Sequence, residues 1–305
     1  MPRLNSLRTL KVARASQSGR PRHLSAASGL VAAGRYLYVI ADDELHLGMF
    51  RARGRDPGTL VELHAGDLPL SRKERKRRKP DFESIVVLPR FERFPHGALL
   101  ALGSGSRPER RKGALIALDA LGAVTGVPRV VDLSPMYGAI EPEFDEINIE
   151  GAFVDGDRLS LLQRGNKGDA RNARIRVALP AVLDALSDGK PLPRAALLDI
   201  TPFKLGAISG VPLCFTDGAA LGEGAFAFTA VAEDTEDSYA DGACAGSAIG
   251  IVDRHDSVCA LWRLEPSLKV EGIATRFVRN ALELTIVTDA DDFTVAARLL
   301  RCRLR

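Results

Sequence analysis

The sequence predicts an all-β protein, a β-propeller of five four-stranded blades. Three observations predict it. Short apolar runs alternate with polar residues and are broken by Gly- or Asn-containing turns, the pattern of antiparallel strands. A unit of this kind recurs five times, beginning at Ala27, Phe82, Ile149, Thr216 and Val270. The last unit lacks one strand, and the N-terminal segment offers one.

The first two strands of the units lie in "ASGLVAAGRYLYVIADDE", "FESIVVLPRFERFPHGALLALGSGS", "IEGAFVDGDRLSLLQRGNKG", "TDGAALGEGAFAFTAVAED" and "VEGIATRFVRNALELTIVTDAD". Third strands follow as "ELHLGMFRA", "KGALIALDA", "ARIRVALP", "SAIGIVD" and "TVAARLLRC". Fourth strands follow four of these, as "TLVELHA", "RVVDLS", "AALLDI" and "VCALWRLE". Anchors at the unit starts are Ser28, Glu83, Glu150, Asp217 and Glu271, spaced by 55, 67, 67 and 54 residues. From Glu271 to the C-terminus and on from Met1 to Ala27 there are 62 residues, within the same range. The alternating "TLKVARA" (Thr9–Ala15) is therefore expected to complete the last sheet and close the ring. A six-bladed ring is the alternative, with the extra blade in residues 54–80, but only one convincing strand stands there. "PAVLDALSD" (residues 180–188) reads as one or two helical turns between the third and fourth strands of blade 3. The whole chain, residues 1–305, reads as a single propeller domain.

Composition agrees. The chain is 46% hydrophobic with few aromatics, so Leu, Val, Ile and Ala must build its core. The net charge of +3 hides residues 72–79, "RKERKRRK", with seven bases and one acid. That run lacks interleaved aromatics, so a nucleic-acid partner is not expected. It reads as an exposed, mobile loop; the alternative is that it overhangs the mouth near Glu83 and attracts an anionic ligand. No apolar signal region and no membrane-length apolar run are present, so a soluble, cytoplasmic protein without a membrane partner is expected. Cys214, Cys244, Cys259 and Cys302 form no CxxC pair, so neither a disulfide framework nor a zinc site is expected.

In a propeller the first strand of each blade is innermost. Its start and the end of the second strand meet at one mouth of the channel. The second-strand ends supply Asp42 and Asp43, then Ser104, Ser106 and Arg107, then Gln163, Arg164, Asn166 and Lys167, then Glu233 and Asp234, then Asp289, Asp291 and Asp292. Converging carboxylates repel, and a hard divalent cation removes that repulsion. Calcium is the expected cofactor, with Glu83, Glu150, Asp217 and Glu271 as metal ligands. Asp42, Arg107, Arg164, Asn166, Lys167, Glu233 and Asp234 are the expected ligand-binding residues. His23, His46, His64, His96 and His255 do not repeat at the anchors, which argues against a transition metal. The competing role for an acid before Gly is structural: it accepts backbone N–H bonds and fixes the packing of its blade.

Other segments carry less. "AEDTEDSYADGACAGSA" (Ala232–Ala248) holds Glu233, Asp234, Glu236, Asp237 and Asp241 and reads as a long loop on the mouth side. "QRGNKGDARN" reads as a polar turn rather than a phosphate cradle, and neither G-x-S-x-G nor H-E-x-x-H occurs.

The blade starts "SGL" at Ser28, "DFESI" at Asp81, "NIEGA" at Asn148 and "VEGIA" at Val270 resemble those of the SdiA-regulated (YjiK-like) five-bladed propellers, distant relatives of NHL-repeat proteins. The likeness overlaps with the esterase-like phytase propellers. It implies a calcium-binding propeller with Glu83, Glu150 and Glu271 as the matching acids. "TDGA" departs from the usual Ser/Glu-Gly pair, and the membrane or export segment common in the group has no counterpart here.

Two functional classes stay open. One is a calcium-dependent hydrolase of a phosphate or carboxylic ester, in which calcium polarises the scissile group. Arg164 and Lys167 would then hold a small anionic substrate, Arg164 would offset transition-state charge, and Asp289 would activate water. The other is a non-catalytic ligand- or protein-binding propeller whose acids serve structure.

Overall fold

The alternation seen in the sequence becomes five separate antiparallel sheets. The computed structural model describes residues 3–235, 242–264 and 268–304. After β1 (Asn5–Thr9), blade 1 runs β2 (Ala27–Ala33), β3 (Tyr36–Ala41), β4 (His46–Arg51) and β5 (Thr59–Glu62). Blade 2 is β6 (Phe82–Leu88), β7 (Ala98–Gly103), β8 (Lys112–Leu118) and β9 (Val124–Asp132). Blade 3 is β10 (Ile149–Asp155), β11 (Arg158–Gln163), β12 (Asn172–Ala178) and β13 (Leu197–Phe203). Blade 4 adds a short β14 (Ala207–Ile208) to β15 (Val211–Gly222), β16 (Ala225–Asp234), β17 (Ala243–Val252) and β18 (Val258–Arg263), with β14 paired to the start of β15. Blade 5 is β19 (Lys269–Val278), β20 (Ala281–Asp289), β21 (Arg298–Leu304) and, from the other end of the chain, β1. Tight turns set the registers. At the β15–β16 hairpin both Glu223 and Gly224 have positive φ, the geometry that matches strand twist in a two-residue connection.

Among the described residues the core divides into five apolar clusters, each filling the gap between two adjacent blades. Ile85 and Leu99 of blade 2 meet Ile40 and Leu47 of blade 1. Phe215 and Phe226 of blade 4 meet Phe153 and Leu162 of blade 3. The strand face that alternation predicts as buried is thus a face between sheets, and most blades bury both faces of their inner strands.

The ring closes with an N-terminal strand, but not over Thr9–Ala15. β1 pairs with β21 from Asn5↔Arg301 to Thr9↔Arg298. Leu10 and Val12 are instead buried with Leu24 and Leu299 in the seam between blades 5 and 1. Their amides bond Ala297 O and Arg22 O. The alternation of that segment reflects two side chains entering a seam.

Among the described residues three α-helices occupy connections. α1 (Arg72–Arg78) is the basic run itself, a helix where a loop was expected. α2 (Ser134–Ile140) links blade 2 to blade 3. α3 (Leu179–Asp188) covers the segment expected to be helical and ends on Gly189 at φ +70°, the left-handed cap that glycine favours. Residues 54–80 contain only β5 and α1, so the ring has five blades and not six. No described helix is long and apolar enough to cross a membrane.

Candidate functional site

The innermost strands share one irregularity, and it builds the site. Ala27 pairs with Ala41 and Gly29 with Ile40, so Ser28 is an extra residue with no opposite number. The same bulge falls on Glu83, on Glu150 and within Glu271–Gly272. A bulge re-aims a side chain out of the normal alternation. Here it turns Ser28, Glu83, Glu150 and Glu271 into one cavity of about 70 Å³ at the channel mouth.

Blade 4 is different. Its bulge falls on Thr216, so Asp217 stands where the other blades have Gly29, Ser84 and Gly151. Asp217 therefore does not line the mouth. Its carboxylate accepts the amides of Gly218 at 2.7 Å and Ile273 at 2.8 Å, and backbone bonds from Leu30 and Ala152 also reach it. This is the structural role foreseen for an acid before Gly, tying four inner strands together.

The cavity is lined by seven carboxylates and five cationic side chains. Lys79, from the end of α1, bonds Asp42 and sits 2.9 Å from Asp81. Arg110 bonds the other Asp81 oxygen at 2.8 Å and holds Lys76 O of the helix at 3.0 Å. Glu150 accepts Asn148 Nδ2 at 2.8 Å and faces Arg164 at 3.4 Å. Arg164 also bonds Glu233. Lys269 stands 3.6 to 3.8 Å from Glu233, Glu271 and Asp289 and bonds Asp291 at 2.8 Å.

Of the expected ligand-binding residues, Asp42, Arg164, Asn166 and Glu233 line this cavity, as does Asp289. Lys167 and Asp234 instead form a half-exposed pair outside it, at 2.8 Å. Arg107 is exposed and does not line it. Of the acidic segment, Glu236, Asp237 and Asp241 lie outside the described residues. Lys79, Asp81, Arg110 and Lys269 line the mouth as well, beyond the residues expected from the sequence. For three of them a signal existed: Lys79 and Asp81 in "KPDFES" and Lys269 in "KVEG" stand within four residues of an anchor. Arg110 had none, since a 3-10 turn (Pro108–Arg110) brings it back to the mouth.

Burial, with the mutual repulsion of Glu83, Glu150, Asp81 and Asp42, holds Glu83 well above the usual carboxylate range. Burial lifts Glu271 in the same way, against the pull of Lys269 and Arg164. Asp289 is pushed up to about 8, mainly by burial. At Asp81 burial works upward too, but Lys79, Arg110 and the Ser104 hydroxyl outweigh it and hold the carboxyl low. Lys79 is buried, yet its three acidic neighbours keep it firmly charged.

The donor set suits a hard cation. Ligand oxygens of Asp42, Asp81 and Glu83 lie within 4.8 Å of one another, and oxygens about 2.4 Å from a shared calcium ion stand up to about 4.8 Å apart. Among the described residues Glu83 takes no hydrogen bond. The Lys79 ammonium already satisfies Asp42 and Asp81, so a metal there competes with the protein's own cation. The narrow part of the cavity has room for about two water molecules, or an ion with its water.

Solved structures with a similar course share little sequence. The tail fibre of Staphylococcus aureus phage P68 is 8% identical with a TM-score of 0.44, over 99% of this chain and 53% of the fibre. This chain thus spans about half of that protein. A chain of the nidogen/laminin complex is 11% identical with a TM-score of 0.40, covering 98% of this chain and 96% of its own. A Synechocystis apocarotenoid oxygenase is 10% identical with a TM-score of 0.39, covering 100% and 68%. No curated protein sequence matches. Residues 23–304 match a family spanning all five blades, and the chain belongs to that family of unknown function, DUF6929.

Proposed function

We propose that the channel mouth binds one hard divalent cation, calcium by the chemistry of its donors. The observation that carries this reading is the cluster of Asp42, Asp81 and Glu83 oxygens within 4.8 Å, beside Glu150 and Glu271. Seven acids crowd this cavity against five bases, an excess of carboxylate oxygens that a hard cation can take up. The likeness of the blade starts to SdiA-regulated and esterase-like phytase propellers supports the same ion. Calorimetric titration with calcium tests it. Wild type should bind one ion, and Glu83→Gln should weaken binding by about tenfold or more, since it removes a charged ligand. No heat of binding in wild type rejects the proposal.

A second reading is favoured by Asp289. A carboxyl with a pKa of about 8 is protonated at neutral pH and can exchange a proton with a substrate. Arg164 lines the same cavity, and the two together support a calcium-dependent hydrolase of a phosphate or carboxylic ester. A screen of phosphomonoesters and lactones with and without calcium decides. Turnover absent in both leaves a cation-binding, non-catalytic propeller.

A further inference from the structure

Beside the mouth lies a second, larger cavity of about 430 Å³, a groove between α1 and the β20–β21 connection. Its size is that of a small-molecule site. Three features single it out. First, three residues that line it each hold a buried polar atom without a hydrogen-bond partner: Ser25 Oγ, Asp43 Oδ1 and Arg75 Nη2. Ser25 is only 1% exposed. The nearest acid to Arg75 Nη2 is Glu44, at 3.5 Å. Buried polar atoms are nearly always paired, so three together in one groove call for a ligand. Secondly, its wall carries two exposed apolar side chains, Phe293 (50%) and Leu70 (59%). Thirdly, its lining carries side chains of both signs, five basic and five acidic.

The wall is also tied down by local contacts. Asp289 and Asp292 accept backbone amides of their own connection at 2.8 and 2.9 Å, and His23 contacts Phe293 O at 3.1 Å. Arg20 lies 5.4 Å over the Phe293 ring and is itself held by Asp43 and Glu44. Phe293 is thus presented to the groove on a fixed platform, which lowers the ordering cost of binding.

The chemistry of the occupant follows. Arg75 Nη2, ion-paired to Glu44 at 3.5 Å but making no hydrogen bond, can take an acceptor, and Asp43 Oδ1 can take a donor. Side chains of both signs suit a ligand that itself carries both. From these we infer that the groove binds a small zwitterion with an apolar side chain, an amino acid or short peptide, its carboxylate towards Arg75, its ammonium towards Asp43 and its side chain on Phe293 and Leu70. This goes beyond the cation site and does not depend on it, although the two cavities share Asp42, Lys76, Lys79 and Asp289.

Calorimetric or NMR titration of the full chain with L-phenylalanine, glycyl-phenylalanine, 3-phenylpropionate and phenethylamine tests the inference, each with calcium and with chelator. Saturable binding of a zwitterion should exceed that of the two singly charged probes by about tenfold. Preference between the first two probes separates a free amino acid from a peptide. Phe293→Ser and Leu70→Ser, both at half-exposed positions that leave the fold intact, should each weaken binding by about tenfold, as expected for an apolar anchor. No saturable zwitterion binding, equal binding of a singly charged probe, or undiminished binding in both variants overturns the inference. Zwitterion binding in chelator sustains it even if the calcium titration fails.

Discussion

Glu83 and Asp217 look alike in the sequence and do opposite things, because one residue of register separates them. Glu83 is a bulge residue turned into the mouth, whereas Asp217 lies one place beyond its bulge and is spent on backbone amides. An acid before an apolar run is legible in the sequence. The position of a bulge is not, since it depends on pairing with the second strand. The difference is measurable. Asp217→Asn places amide hydrogens against N–H donors that the carboxylate accepted. It should cost about 3 kcal/mol, the penalty of one or two unsatisfied buried donors, and leave calcium affinity unchanged. Denaturant unfolding and calorimetry check both parts, and a loss of calcium binding without loss of stability would reverse the assignment. Asp289 gives a pH test. Its pKa of about 8 in the folded protein exceeds the unfolded value of about 3.9. Between those values the native state retains a proton that the unfolded chain releases. Its contribution to stability is therefore full below the unfolded pKa and is lost as pH rises towards 8. Asp289→Asn should remove this term, so the variant gains on wild type as pH rises from 5 to 8. Chemical denaturation across that range would show a constant difference if Asp289 titrates normally.

Helix α1 is the element that changes the reading of the site. Its sequence, with seven bases in the eight residues 72–79, has no apolar face, and Ser71 makes no side-chain cap. Nothing local distinguishes it from a solvated loop. What orders it is tertiary: Arg75 bonds Asp43 O at 2.6 Å, Arg110 bonds Lys76 O, and Lys79 enters the mouth. The acids of the ring and the bases of the helix were each legible, but their encounter was not, because it needs the ring to be closed first. Lys79 is 8% exposed, and removing one member of a buried ion pair leaves the other uncompensated. Lys79→Met should therefore lower stability by about 3 kcal/mol in chelator. Calcium should recover more stability in this variant than in wild type, since the metal no longer competes with the ammonium. Thermal melts with and without calcium measure the difference, and equal shifts would show that Lys79 and the metal do not share Asp42 and Asp81.

At the scale of the molecule, the site exists only while the ring is closed. Its residues come from all five blades, and the inner strands approach so closely that a Cβ on Gly272 would stand 2.6 Å from Leu30 N and one on Gly151 2.9 Å from Asp217 Cα. The five-fold repeat made this architecture legible, because each unit carries its own turns and alternation. The exact closing strand was hidden, because Leu10 and Val12 mimic that alternation while filling a seam. β1 is the joint. It holds the open edge of β21 with antiparallel pairs and anchors Arg8 on Arg51 O of blade 1 at 3.0 Å. Deleting residues 1–9 removes that strand but keeps Leu10 and Val12, so the seam stays filled while the edge of blade 5 is exposed. The shortened chain should unfold at least about tenfold faster, with a matching loss of stability of about 1.4 kcal/mol or more. It should also show association through the bare edge at high concentration. Supplying residues 1–9 as a separate peptide should restore both properties, because the pairing is backbone-directed and needs no covalent link. Stopped-flow unfolding and light scattering follow the two effects. Unchanged unfolding in the deletion would mean that the seam around Leu10 and Val12, and not the closing strand, holds the propeller together.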